Sequence, residues 1–406
     1  MEQQKKKKLS LFIIFLTFFV DNLGWSIVFP IFAPFFIDVN HNIFPPSFPL
    51  TSRTAVLGIF LAAFPLAQFF GAPILGDVAD RFGRKKALSI TVFLTAIGYL
   101  VSAWSIHTAN LVVLFISRLF TGLFAGNLSI CLAAIVDYSK SERQKVKYFG
   151  YLSVIAGFSF IVGAFLGGKF ADHTLNKLFT PAFPLVIAFV ITMLNFVFLV
   201  FGYKEKDHKE AVTFDLLEGI HNVQKALKIE KIKRLYLMYF LFAFSWTLVL
   251  QFTPVLVIKK FKFSFSEIGD ISAFMGICWA LGSVCSHLLL KRFSKLKMLE
   301  TCLWVFMVIC LLVLFPIHLS VLLSVLGIGV VFAGIAWPLC TGLISSYADS
   351  KIQGKIMGMS QSVLSLAMFA SPLVAGLLDR IYWGVPFILA ALFNLFAALV
   401  YFTIKK

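Results

Sequence analysis

The chain is 406 residues long, 60% hydrophobic, 16% aromatic and only 14% charged, with a formal net charge of +17 and a mean hydropathy of +0.92. Soluble chains carry about a quarter charged residues, and a globule cannot bury this much apolar surface. The composition therefore excludes a water-soluble enzyme, a disordered protein and a disulfide-stapled secreted domain, and it predicts a protein of the lipid bilayer.

The six cysteines lie within apolar runs, with no CxxC pair and no Cys/His spacing suited to zinc. They are interpreted as small buried hydrophobic residues. The sequence predicts no metal site, and it indicates no cofactor.

Apolar segments long enough to cross a membrane follow one another along the chain. A hydrocarbon core of about 30 Å needs roughly 20 apolar residues per helix. On this scale the sequence predicts an all-α membrane protein with twelve spans: 9–37, 53–75, 87–106, 110–136, 148–170, 182–202, 234–258, 267–290, 298–316, 320–347, 355–378 and 384–404. The first resembles a secretory signal, but no small-residue cleavage site follows, so it is predicted to be retained.

The basic residues predict the orientation. With the N-terminus in the cytoplasm, most of the 36 Lys and Arg residues fall in cytoplasmic segments, as the positive-inside rule requires. Both termini are therefore predicted to be cytoplasmic. The net charge then reflects membrane topology, and no nucleic-acid partner is predicted.

A long cytoplasmic segment separates spans six and seven. Within it, apolar residues recur at helical spacing: Leu216, Ile220, Val223 and Leu227. Asp215 with Glu218 resembles a capping box at the start of this pattern. This pattern predicts an amphipathic helix on the inner leaflet, with a solvated linker as the alternative.

The two halves of the chain are similar to each other. A constant shift aligns Gly126 with Gly334 and Gly168 with Gly376. A six-helix unit is therefore predicted to be duplicated, and parallel repeats with a binding site between them are typical of secondary transporters. The predicted domains are an N-terminal bundle (1–202), a cytoplasmic linker (203–233) and a C-terminal bundle (234–406).

The most specific motif lies between spans two and three. Residues 76–88 read Gly-Asp-Val-Ala-Asp-Arg-Phe-Gly-Arg-Lys-Lys-Ala-Leu. They match the loop signature of the major facilitator superfamily, G-x-L-a-D-r-x-G-R-k-x-x-L, and the resemblance extends over all twelve spans. It implies the major facilitator fold, with two pseudo-symmetric six-helix bundles.

The same resemblance implies that this loop is a conformational latch. Asp80 is expected to face the N-terminus of span eleven, and Arg84 is expected to pair with the acid that ends span four, here Asp137. A tight turn is expected at Gly83. The full set of expected latch residues is Gly76, Asp80, Gly83, Arg84, Asp137, Glu142 and Arg143.

Three further segments narrow the resemblance. Residues 21–30, Asp-Asn-Leu-Gly-Trp-Ser-Ile-Val-Phe-Pro, resemble the D-x-x-G-x(5)-P opening of tetracycline/proton antiporters, within the twelve-helix drug:proton antiporters. Residues 137–150 resemble the loop after span four in that family, and Arg118 with Gly122 resembles its arginine motif.

Span five resembles the antiporter motif of the family, except that Ala164 stands where the family has proline. This departure weakens the case for export. The glycines of this span predict close helix packing: Gly157, Gly163, Gly167 and Gly168.

Two ionisable residues are predicted to lie at the same membrane depth. Asp21 is about 18 Å from the cytoplasmic start of span one, and Arg118 is about 12 Å from the outer start of span four. Either charge alone is costly inside a membrane, so they are expected to face each other or a wet cavity. The alternative is a purely structural ion pair.

This pair suggests proton coupling. Burial favours the neutral acid and a nearby guanidinium favours the carboxylate, so a cationic substrate or a movement of Arg118 would shift a proton at Asp21. The chain lacks G-x(4)-G-K-[ST], so no ATP site is predicted.

Polar and aromatic side chains on several spans are candidates for a substrate cavity. Aromatic walls suit an amphipathic or cationic organic substrate, although most aromatic residues of this chain must face lipid or neighbouring helices. The candidates are Asn22, Trp25, Ser129, Trp246, Gln251, Trp279, Trp337 and Gln361.

The leading interpretation is a proton-coupled exporter of small amphipathic organic compounds, with proton-coupled import of a nutrient as the alternative. No G-x-S-x-G or H-E-x-x-H motif occurs, so no enzyme is predicted. A receptor or scaffold without transport activity is the remaining class. The expected partners are a small molecule, protons and the bilayer. A monomer is predicted, and the resemblance implies a bacterial inner membrane.

Overall fold

A computed structural model describes every residue except 1, 39–42, 46, 140, 206–229, 316–317, 347–352, 380 and 406, and no strand occurs among the described residues. The helices are α1 (Glu2–Ser26), α2 (Phe29–Ile37), α3 (Leu50–Phe82), α4 (Arg84–His107), α5 (Leu111–Phe124), α6 (Asn127–Tyr138), α7 (Glu142–Ala171), α8 (Phe183–Gly202), α9 (Glu230–Phe261), α10 (Phe265–Leu289), α11 (Lys295–Leu312), α12 (Leu319–Ser346), α13 (Gln353–Leu378) and α14 (Val385–Lys405).

Ten helical segments of the described chain are long and apolar enough to cross a membrane, and they correspond to ten of the twelve predicted spans. The other two predicted spans contain shorter helices. The ninth, 298–316, coincides largely with α11, whereas the fourth, 110–136, is two helices, α5 and α6, instead of the single helix predicted. The protein is an integral membrane protein with the predicted all-helical architecture. The predicted amphipathic helix falls within 206–229, outside the described residues.

Polar side chains mark where several spans begin. At the start of α10, the backbone N–H of Glu267 donates to the Ser264 hydroxyl (3.4 Å), and the Ser264 N–H donates to the Glu267 carboxylate (2.8 Å). At the start of α5, the Asn110 side-chain oxygen accepts from the N–H of Val113 (3.1 Å). These caps pair the donors that a first helical turn leaves open.

The helices form two compact units: unit 1 contains Met1–Ile31 and Leu66–Gly219, and unit 2 contains Phe32–Pro65 and Ile220–Lys406. In unit 1, α1 packs on α7 and α8, and α4 packs on α5 and α8. In unit 2, α9 packs on α13 and α14, and α11 packs on α12 and α14. The internal repeat is therefore visible as a repeated packing pattern. The two compact units differ from the predicted domains, because Phe32–Pro65 groups with unit 2. The predicted boundaries of the N-terminal bundle, 1–202, stay a prediction.

Two glycines allow α7 to approach α1 closely. A Cβ added at Gly163 would lie 2.7 Å from the carbonyl oxygen of Leu23, and one added at Gly167 would lie 2.8 Å from the Pro30 ring. Real Cβ atoms do not come this close to their neighbours, so both positions need the smallest residue. Of the other two glycines of α7 that the sequence singled out, Gly168 is buried and Gly157 is half-buried.

Candidate transport site

Asp21 lies near the middle of the first span, Lys8–Ile37, and is half-buried. Its carboxyl oxygen Oδ1 accepts a hydrogen bond of 3.0 Å from the side-chain amide nitrogen Nδ2 of Asn127. Asn127 is 2% exposed and is the first residue of α6. The acid predicted to couple protons is therefore held by a residue that the sequence interpretation missed.

Span four is interrupted just before Asn127. The carbonyl oxygen of Ala125, at the C-terminal end of α5, accepts a hydrogen bond from Gln68 Nε2 on α3 (3.0 Å). A Cβ added at Gly126 would lie 2.8 Å from the Cα of Ala72, so glycine lets α3 pack directly against the break. The break brings the N-terminal end of α6, which carries partial positive charge, to the acid.

A third residue completes this hydrogen-bonded chain. Thr91 on α4 is 1% exposed, and its hydroxyl donates to the side-chain carbonyl oxygen of Asn127 (2.5 Å). Because Thr91 engages the oxygen of the Asn127 amide, the nitrogen of the amide faces Asp21. Three helices, α1, α4 and α6, thus meet through one polar chain inside an apolar unit.

Arg118 lies on α5 and is 3% exposed. Tyr99 on α4 is 1% exposed and lies within electrostatic reach of both Asp21 and Arg118. A Cβ added at Gly24 would overlap the Tyr99 hydroxyl, so the hydroxyl rests directly on α1. The structure therefore places both predicted proton-coupling residues in unit 1, with Tyr99 within electrostatic reach of each. The glycine of the D-x-x-G motif provides the space that the Tyr99 hydroxyl needs.

Three of the candidate cavity tryptophans meet in unit 2. The ring centroids of Trp246 and Trp279 are 4.4 Å apart, and those of Trp279 and Trp337 are 5.4 Å apart in an edge-to-face arrangement. Tyr239 extends the group, with its centroid 5.6 Å from that of Trp337. Gln251 is 4% exposed, and its side-chain oxygen Oε1 has no hydrogen-bond partner among the described residues. The four rings form a neutral aromatic group contributed by α9, α10 and α12.

Of the remaining cavity candidates, Asn22, Trp25 and Ser129 belong to unit 1, and Gln361 belongs to unit 2. Asn22 donates to the carbonyl oxygen of Phe18 on its own helix (2.8 Å) and is half-buried. Trp25 packs against Phe29, with centroids 4.7 Å apart. Gln361 lies half-buried on α13, and the side chain of Ser129 is outside the described part of the structure.

Two features that the motif predicts are present in the loop between α3 and α4, a tight turn at Gly83 and an ion pair between Arg84 and Asp137. Gly83 has φ of +93°, a conformation that side-chain-bearing residues rarely adopt. Arg84 Nε lies 3.5 Å from Asp137 Oδ2, and these side chains are 16% and 45% exposed. Gly76 lies half-buried within α3, whereas the side chains of three other expected latch residues are outside the described region: Asp80, Glu142 and Arg143.

Glu205, just after α8, caps the helix that follows this loop. Its carboxylate accepts hydrogen bonds from the backbone N–H groups of Arg84 and Lys85, the latter at 3.2 Å. A Cβ added at Gly83 would lie 2.6 Å from Glu205 Oε2. The sequence interpretation missed this contact, because Glu205 is distant in the chain from the motif that it caps.

We expect Glu205→Ala to lower the free energy of unfolding by about 1 kcal/mol, the usual effect of losing a helix cap. Two N–H groups in the first turn of α4 would lose their acceptor. Thermal unfolding of the purified protein in detergent measures this loss. Asp137→Asn is the control and should change stability by less than about 1 kcal/mol, because the ion pair that it removes is exposed. Equal losses in both variants would contradict the capping role.

Unit 2 contains a second ionic site that the sequence interpretation missed. Lys259, near the end of α9, forms an ion pair with Asp379, one residue after α13, and the side chain of Asp379 is only 1% exposed. Burial raises the pKa of the Asp379 carboxyl, although the hydrogen bonds from Lys259 and Thr54 and the charge of Lys259 act in the opposite direction. By the predicted topology, this ion pair lies at the outer end of its helices.

The protein has two helical units with the same packing pattern, and unit 1 holds an acid and a guanidinium among its membrane-spanning helices. These features are typical of one class of protein, the polytopic transporters built from internal repeats. A family model described as Major Facilitator Superfamily matches residues 14–330 and 235–406. The chain belongs to the Major Facilitator Superfamily. The predicted fold class and family are thus confirmed.

Known relatives agree with the narrower resemblance. The chain is 24% identical over 377 residues to the tetracycline resistance protein, class H, of Pasteurella multocida, covering 90% of this chain and 88% of the relative. It is 26% identical over 392 residues to the quinolone resistance protein NorA of Staphylococcus aureus strain COL, covering 94% and 92%. Among solved structures, the D-xylose-proton symporter has a TM-score of 0.72 at 15% identity, covering 95% of this chain and 97% of that one. This structural likeness shows the fold alone.

Proposed function

We propose that the protein exports small amphipathic organic compounds in exchange for protons, by alternating access. The observation that carries the proposal is the buried polar chain of unit 1, in which Asn127 donates to Asp21 and accepts from Thr91, with Tyr99 within electrostatic reach of both Asp21 and Arg118. An ionisable acid inside a membrane span is expensive and usually functional. Asp21 would exchange the proton, and Arg118 would favour its charged form.

Two observations support an organic substrate and outward direction. The group of Trp246, Trp279 and Trp337 offers aromatic faces that suit planar or cationic compounds. Two relatives are named for resistance to tetracycline and to quinolones.

Proton-coupled import is the second candidate function. Ala164, in place of the proline of the antiporter motif, favours it, and the fold is shared with a D-xylose-proton symporter. The same Asp21 would serve either direction, because coupling requires only that loaded and protonated forms prefer opposite-facing conformations.

The proposal includes the remaining expectations for the molecule. The loop after α3 acts as a conformational latch, the protein functions as a monomer with both termini in the cytoplasm, and its place is a bacterial inner membrane. Its partners are the transported compound, protons and lipid. No catalytic step belongs to this function.

Proton movement on substrate addition distinguishes the two directions of coupling. The purified protein is reconstituted into proteoliposomes that contain a pH-sensitive dye, without an imposed gradient, and tetracycline, a quinolone and a panel of organic cations and sugars are added outside. Antiport makes the lumen more alkaline because protons leave as substrate enters. Symport makes it more acidic. Binding without a pH change for every compound that binds would contradict both candidates and favour a receptor.

A further inference from the structure

The side chain of Asn127 offers two different chemical groups, and its neighbours determine which of them meets Asp21. The amide oxygen Oδ1 accepts from the hydroxyl of Thr91 at 2.5 Å, and the amide nitrogen Nδ2 donates to Asp21 at 3.0 Å. An amide nitrogen can only donate, so it stabilises a carboxylate, which can only accept. The opposite orientation would present an oxygen to the carboxylate and repel it.

Thr91 keeps the amide in the orientation that suits the charged acid. Its hydroxyl has one proton, and its three near neighbours are all oxygens: Asn127 Oδ1 at 2.5 Å and the backbone carbonyls of Ala87 and Leu88 at 3.0 and 3.1 Å. Those two carbonyls belong to α4 itself, four and three residues earlier. Asn127 Oδ1 is the nearest of the three acceptors, so we assign the hydroxyl proton to it. The buried Asn127 oxygen then has the donor that it needs, and α4 loses no backbone hydrogen bond.

We propose that Asn127 is a positioning residue that holds Asp21 in its charged form, and that Thr91 sets the orientation of the Asn127 amide. This inference rests on the proposed function, because it gives Asn127 and Thr91 no role apart from proton exchange at Asp21. The break in span four contributes to this positioning. It places Asn127 in the first turn of α6, the helix end that carries partial positive charge.

Asn127 donates a hydrogen bond to Asp21, and several other groups lie near this acid. Among the described residues, the titratable groups Tyr99 from α4 and Cys131 from α6 interact with Asp21 electrostatically, and Arg118 from α5 interacts with Tyr99. Hydrogen bonds join α1 to α7 and α8 at two uncharged residues, Ser159 and Asn195.

Infrared titration of the purified protein tests the inference directly. The carboxylic acid band that disappears in Asp21→Asn reports the protonation of this one residue. In Asn127→Leu the midpoint of that band is expected to rise by about one pH unit, because the carboxylate loses a hydrogen bond from a neutral donor. Thr91→Val should shift the midpoint in the same direction by less, since the freed amide can then turn its oxygen to the neutral acid.

Two variants serve as controls. Thr91→Ser keeps the hydroxyl and should restore the wild-type midpoint. Thr108→Val makes the same substitution at the exposed end of α4, where the hydroxyl bonds only to its own helix, and should leave the midpoint unchanged. An unchanged or lowered midpoint in folded Asn127→Leu would overturn the inference.

The pH profile of transport provides a second measurement. If the proposed function holds, the pH dependence of proton-coupled flux shifts upward with the infrared midpoint in Asn127→Leu. A shifted midpoint in a protein whose wild-type form moves no protons would instead contradict the proposed function and leave the positioning role intact. A reduced rate with an unchanged pH profile would mean that Asn127 has a structural role only.

Discussion

Asp21→Asn is expected to abolish uphill transport. One proton crossing 100 mV supplies about 2.3 kcal/mol, enough for a roughly fifty-fold concentration gradient of substrate. Asparagine has nearly the size of aspartate but does not titrate, so the accumulation ratio should fall to about one. Uptake into energised inside-out vesicles, with and without an imposed proton gradient, measures the ratio.

The variant should still insert, fold and exchange substrate. Asn127 Nδ2 can donate to the side-chain oxygen of an asparagine at position 21 just as it does to the carboxyl oxygen of Asp21. Substrate counterflow, which needs no proton gradient, should therefore persist. Asp270→Asn is the matched control, because it makes the same change at an exposed residue near the start of α10, away from the proposed coupling site and latch. Normal accumulation by Asp21→Asn would show that another group carries the proton.

Lys259→Met is expected to destabilise the protein by about 3 kcal/mol, the lower end of the range for breaking a buried ion pair, because Lys259 itself is 18% exposed. The variant leaves the Asp379 carboxylate buried without its cation. The six cysteines are free and all but one are buried, so the reaction of a thiol-specific dye during heating reports unfolding.

The loss should depend on pH in a defined direction. Burial already raises the pKa of Asp379 in the folded protein, and removal of Lys259 raises it further above the unfolded value of about 3.9. A group with a raised folded pKa favours folding at low pH, and this contribution is lost as the pH rises through the folded pKa. Lys259→Met should therefore be less destabilised at pH 5.5 than at pH 8.

Two further variants complete this test. Lys259→Met combined with Asp379→Asn removes both charges and should recover most of the stability, with little dependence on pH. Lys262→Met removes an exposed lysine three residues away and should have almost no effect. A pH-independent loss in Lys259→Met would indicate that packing, and not the buried charge, carries the stability.

Several features of the site follow from local sequence. Gly83 has the positive φ that its tight turn needs, and Arg84 meets Asp137, as the loop motif implies. Residue type also marked Trp246, Trp279 and Trp337 as cavity candidates, although only the packing of their helices brings the three rings together. These features rest on short motifs or on residue type, and both are readable along the chain.

Local sequence did not predict the hydrogen bond between Asp21 and Asn127 or the capping of α4 by Glu205. Asn127 follows Gly126 inside an apolar run, and the Gly-Asn pair was the one local sign of a break. The Asp21–Asn127 hydrogen bond joins residues 106 positions apart, and Glu205 lies 121 positions from the N–H of Arg84 that it accepts from. A uniformly apolar helix carries no pattern that tells which of its faces meets a given neighbour.

The sequence by itself determined the membrane environment, the all-helical architecture, the family and the residues that are ionisable within the spans. Hydrocarbon imposes these features, since each span must be long, apolar and internally hydrogen-bonded, and each charge inside it stands out. Only the tertiary structure decided the break in span four, the partners of Asp21 and the Lys259–Asp379 pair. Those depend on how the helices are rotated and packed against one another, and distant contacts, not local periodicity, set that rotation.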